Sequence, residues 1–79
     1  MKAVVHVFLK PGVLDVQGKA VEGALHGHGW TDVGNVRVGK VIEFELRDET
    51  ATAARSRVEE MCVRLLANPV IEGWRVEIV

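Results

Sequence analysis

Five apolar residues between Val33 and Arg47, namely Val36, Val38, Ile42, Phe44 and Leu46, all occupy even positions, and only Lys40 interrupts the series. Side chains alternate faces along a strand, so this parity puts all five on one face of a continuous ribbon. A two-residue Gly39-Lys40 turn would pair Val38 with Val41 and Arg37 with Ile42. That register throws Ile42, Phe44 and Leu46 to the face opposite Val36 and Val38. Two arrangements keep the face intact: a hairpin with a three-residue loop and a bulge at Gly39, or one long bent strand running straight through.

The flanking segments supply the remaining layers. Ala3, Val5, Val7 and Leu9 alternate with Val4, His6 and Phe8, so the first strand is apolar on both faces until Pro11-Gly12 ends it. Such a strand is central, or is covered on its second face by another subunit, which makes Val4, His6 and Phe8 the expected self-association residues. Asp15 is the expected N-cap of a helix to about His28, with Val16, Ala20, Val21, Ala24 and Leu25 as its stripe and Gly29 as its stop. Ala54, Val58, Met61, Cys62 and Leu65 describe a second amphipathic helix closed by Asn68-Pro69, and Trp74, Val76 and Ile78 a last strand. The expected fold is α+β, one domain over residues 1–79. It is a two-layer sandwich with an antiparallel sheet and two helices on one face, in ferredoxin-like βαββαβ order, the second and third strands alternatively merging into one long bent strand.

Size and charge then narrow the function. A chain of 79 residues buries only about 60% of its unfolded surface, too little for both a core and a deep cofactor cleft. Ten basic and eleven acidic residues lack the electrostatic footprint of nucleic-acid binding. One cysteine closes no internal disulfide, no apolar run reaches the roughly 20 residues of a membrane span, and no signal peptide is evident, so a cytoplasmic setting is expected.

Candidate chemistry fails on context. Gly34 to Lys40 reads G-x-x-x-x-G-K, but Val41 stands where a phosphate loop needs Ser or Thr, and no helix follows. His26 and His28 point about 200° apart on a helix and cannot share a metal. Cys62 belongs to an apolar stripe, where a thiol packs as a small inert hydrophobe. Trp30 and Trp74 read as core or interface anchors. Glu43 and Glu45 share their strand face with Val41 and Arg47, as on a sheet surface meeting solvent or a partner.

Particular residues say more. Val13 to Val21, Ala24 to His26, Val36 to Lys40 and Leu65 to Glu72 together resemble the PurS family, small subunits of phosphoribosylformylglycinamidine synthase, in order and at matching spacing over essentially the whole chain. The chain departs from the family at Val16, where proline is frequent, and at Trp74, where tyrosine or phenylalanine is common. The resemblance implies a non-catalytic subunit that binds no cofactor or metal itself, within a complex using ATP, magnesium and glutamine. It implies bridging between a glutaminase subunit, PurQ, and a synthetase subunit, PurL, by a homodimer or tetramer. The positions carrying it, and so the expected partner-binding residues, are Asp15, Gln17, Gly18, Arg37, Gly39, Lys40, Asn68 and Glu72. Two other classes fit a small dimeric sheet: a regulatory module binding an amino acid at its interface, and a tiny enzyme using His6.

Overall fold

The computed structural model describes residues 1–79 and has at its centre the strand β1 (Lys2–Leu9), antiparallel to β2 (Lys40–Glu45) on one side and to β3 (Glu72–Ile78) on the other. Val5 stands opposite Ile42 and Val76, and Ala3 opposite Phe44 and Ile78, so the apolar parity of all three strands falls on one face. Helix α2 (Ala51–Met61) covers that face. Its N-cap Thr50 accepts the Ala53 amide at 3.1 Å, and Ala54, Val58 and Cys62 are completely buried against Ala3, Val5, Val7 and Val76. Trp74 packs on this core and donates through Nε1 to Glu59 Oε2 at 2.8 Å.

The α+β class and the antiparallel sheet agree with the sequence, and the question at Gly39 resolves to a single strand on this side of the sheet. Residues 34–39 form neither a hairpin arm nor a strand of their own, and β2 begins only at Lys40. Other expectations need correction. The second face of the sheet is not broadly apolar: beside Val4, His6 and Phe8 stand the odd residues of β2 and the charges of β3, giving Lys2–Glu43 at 3.3 Å, His6–Glu77 at 3.4 Å and Arg75–Glu77 at 3.6 Å. Two apolar faces on one strand therefore do not make two apolar faces of the sheet.

Leu65 departs from its stripe for a geometric reason. Cys62–Leu66 is a π-helical turn, closed by the Ala67 amide on the Cys62 carbonyl at 3.1 Å, and the extra residue rotates Leu65 outward to 82% exposure while Leu66 packs against the core. Helix α1 (Val16–Gly27), capped by Asp15, differs more. It shares the two-helix inventory expected but contributes nothing to the sheet's core cluster, and of its stripe Val16 and Val21 are exposed and only Gly18 of the helix is buried. Trp30, expected as an anchor, is likewise exposed beyond its end.

The chain is elongated as a result. Its radius of gyration is 15.9 Å, where a compact chain of this length has about 12 Å. Its surface of 5645 Å² exceeds by about 900 Å² the area expected at this mass. In urea denaturation, Val58→Ala is expected to cost about 2 kcal/mol by leaving a cavity under the sheet, whereas Leu65→Ala shifts stability by less than about 0.5 kcal/mol. The reverse order would place Leu65 in the core.

Candidate functional site

Most of the expected partner-binding residues meet at the end of β1. Where β1 stops at Leu9, the chain turns through Pro11-Gly12 and reaches Asp15, whose side chain is 5% exposed. The carboxylate accepts the Gly18 amide through Oδ1 and the Val38 amide through Oδ2, each at 2.7 Å. The first bond caps α1; the second ties the helix to the segment leading into β2. Glu22, two turns further along the helix, accepts the Val36 amide at 3.3 Å. Thus the two amides that follow the β2 ladder backwards, at Val38 and Val36, end on carboxylates of α1.

Two glycines make the approach possible. A Cβ on Gly18 would collide with the Val36 carbonyl and with Asp15 itself, and a Cβ on Gly39 would stand 2.6 Å from the Val7 carbonyl oxygen. Arg37 closes the corner: its Nη1 donates to Val13 O at 3.1 Å and its Nη2 to Lys10 O at 3.3 Å, with Nε 3.9 Å from Asp15 Oδ2. The amides of Val38 and Gly18 hold the Asp15 carboxyl below the usual aspartate range, against the opposing effect of burial and with help from Arg37.

Around this corner lies a cavity of about 370 Å³, floored by Val7, Leu9 and Val38 and rimmed by Gln17, Lys40 and Glu72. Lys40 is exposed, and its ammonium takes no partner within the chain, unlike Lys19, which pairs with Glu22 at 3.9 Å. Asn68 and Glu72 instead build a turn. The Asn68 amide donates to Glu72 Oε1 at 2.6 Å, the Glu72 amide returns to Asn68 O at 2.8 Å, and Lys10 Nζ fastens the turn by donating to Pro69 O at 2.7 Å.

The structure thus brings Asp15, Gln17, Gly18, Arg37, Gly39, Lys40 and Glu72 to one corner, with Asn68 one turn away. Sequence reasoning missed Lys10, Leu14 and Val16. The lysine is a clasp recognisable only once Pro69 is beside it, while Leu14 and Val16 are about 70% exposed at the cavity rim. Two aliphatics flanking the cap residue were the available signal. Elsewhere, burial first and the nearby Glu59 carboxylate second push the Cys62 thiol up, which disfavours the thiolate. His26 Nε2 donates to Val33 O at 2.6 Å, and the His28 ring lies 6.1 Å from that of Trp30.

Comparison with known proteins adds to this geometry. The family model described as "PurS: Phosphoribosylformylglycinamidine (FGAM) synthase" matches residues 2–79. The phosphoribosylformylglycinamidine synthase subunit PurS of Bacillus subtilis is 44% identical over 77 residues, 98% of this chain and 90% of that protein. The corresponding subunit of Methanocaldococcus jannaschii is 38% identical over 98% of this chain and 93% of its own length. Among solved structures, Bacillus subtilis PurS superposes with a TM-score of 0.85 at 45% identity, covering 96% of this chain and 94% of that one. A chain of the Thermotoga maritima PurLQS structure gives 0.88 at 31% identity, covering 99% and 95%.

The depressed Asp15 carboxyl carries a sign. A carboxylate whose folded value lies below its unfolded one adds stability above the ordinary aspartate range and loses it as pH falls through the folded value. Wild-type protein should therefore lose this contribution on acidification below the ordinary aspartate range, and Asp15→Asn should be weaker at neutral pH with a flatter acid limb. Parallel acid-unfolding curves followed by circular dichroism would overturn this role for Asp15.

Proposed function

Since this chain belongs to the PurS family of phosphoribosylformylglycinamidine synthase, we propose that it is the non-catalytic subunit that joins the glutaminase PurQ to the ATP-dependent synthetase PurL. The observation that carries this reading is its near-complete likeness to a chain of PurLQS from Thermotoga maritima. In such an assembly PurQ releases ammonia from glutamine and PurL uses it with ATP and magnesium, while this chain binds none of them. Ammonia that meets bulk water becomes ammonium, which has no lone pair to attack with, so the two active sites must be held in a water-excluding assembly. The setting is the cytoplasm. No helix of the chain is long and apolar enough to cross a membrane.

Self-association is part of the proposal, as a homodimer or tetramer. It is supported by the excess surface, the incompletely covered sheet and the exposed stripe of α1. The partner contacts are assigned to the corner at the end of β1, with Lys40 as its free cation and Gln17 and Glu72 beside it. Arg37 also serves the fold, because its guanidinium bonds the Lys10 and Val13 carbonyls and stands beside the Asp15 carboxylate.

Reconstitution tests the whole. The isolated chain is expected neither to hydrolyse glutamine nor to turn over ATP, and adding it to PurL and PurQ should restore glutamine-dependent synthesis. Activity unchanged by its omission would refute a bridging role. In calorimetric titration against PurL plus PurQ, Lys40→Ala is expected to keep the fold and lose about 1 to 3 kcal/mol of binding, the range for a charge-assisted contact. Arg37→Ala should lose thermal stability as well, and wild-type affinity for Lys40→Ala would move the partner surface elsewhere.

A further inference from the structure

We infer that the corner cavity at the end of β1 receives a glutamate or aspartate side chain from another subunit of the assembly, its carboxylate paired with Lys40 and an apolar neighbour of that residue seated on Val7, Leu9 and Val38. This rests on the partner contacts proposed above and names the chemistry of the group that enters.

The place of Lys40 in β2 points to such a group. It is the one charge in the even-numbered apolar series from Val36 to Leu46. Even residues of β2 share the face that α2 covers, and Lys40 stands opposite the buried Val7. Its side chain therefore lies on the apolar side of the sheet, where it lines the cavity with Val7, Leu9 and Val38 and stays exposed. An ammonium in that position is costly to cover unless what covers it brings an opposite charge.

The other charges of the corner are engaged within the chain. Asp15 accepts the Gly18 and Val38 amides and Glu72 the Asn68 amide, while Arg37 and Lys10 donate to backbone carbonyls. Lys40 is the one left without a partner, so the corner's unmatched charge is a single cation. A free amino acid fits poorly, because the ammonium it brings would compete with backbone amides for both carboxylates. The rim also favours a protein segment over a small ligand. Leu14 and Val16, each about 70% exposed, stand on either side of Asp15 at the mouth, and a molecule small enough for about 370 Å³ would leave them in water. A chain crossing the mouth covers both and carries its carboxylate to Lys40.

Calorimetric titration against PurL plus PurQ, from about 0.05 to about 0.5 M NaCl, tests the pairing. Lys40→Met keeps the aliphatic stem and removes the charge. At low salt it should bind about 10- to 100-fold more weakly than wild type, with the gap closing as salt rises. Leu14→Asp should weaken binding more than Leu14→Lys, since both lose the apolar contact and only the first repels a carboxylate. Both positions are exposed, so the variants should keep the wild-type circular dichroism. Should Lys40→Met fail to fold, the Leu14 pair decides. A Lys40→Met deficit of the same size at every salt concentration, or equal losses for the two Leu14 variants, would overturn the carboxylate and leave the partner surface in place. A Lys40→Met change in the sedimenting mass of the isolated chain would assign the carboxylate to a second copy and overturn the inference too. Wild-type protein that fails to bind PurL plus PurQ at any salt concentration would overturn the bridging role along with it.

Discussion

One carboxylate decides the shape of this chain. By accepting amides from both Gly18 and Val38, Asp15 starts helix α1 and at the same time fastens it to the approach of β2. A strand that outruns its neighbour leaves amides without partners, and buried amides are costly to leave unpaired. Asp15 and Glu22 take the place that β1 vacates after Leu9. The helix is thereby held beside the strand's extension and away from its own sheet, which gives the chain its length.

The core that results is small and one-sided. Eight buried residues lie between three strands and a single helix, with Ile42 and Phe44 of β2 only partly covered. A sheet of this size holds together through β1, which is bonded on both sides and carries the fully buried Ala3 and Val5. A subunit of a multi-protein synthase asks for surfaces more than for reacting groups. The chain is rich in the former: an open strand edge, a free lysine beside an apolar-floored cavity, and exposed aliphatics around α1. Its one thiol is shut inside the helix-sheet interface, where desolvation disfavours the thiolate.

Much of this was legible in the residues. Alternation located β1 and β3 and assigned their buried faces, and Asp15 and Thr50 both cap helices, Asp15 as the sequence led one to expect. The family resemblance, carried by Val36 to Lys40 and Leu65 to Glu72, matched the relationship found across residues 2–79. Leu65 was misplaced because periodicity presumes 3.6 residues per turn, and a single π-helical turn shifts every later residue around the axis. The polarity of the second sheet face was not legible in the alternation of β1, because it comes from Glu43, Glu77 and Arg75 across the ladder.

Local chemistry, then, was determined by the sequence itself: which residues alternate, which cap, which carry charge, and to which family the whole belongs. These are properties of neighbours along the chain, and they survive in any tertiary arrangement that respects the strand and helix periods. Only the tertiary structure decided that the even-numbered run from Val36 to Leu46 splits at Gly39, its second half paired with β1 and its first half bound to α1. It also decided that Arg37 spends its guanidinium on Lys10 and Val13 while Lys40 stays free. The reason is physical: parity states which side chains share a face, but hydrogen-bond partners are chosen by what stands beside the backbone, and that depends on residues 14 to 27 positions away.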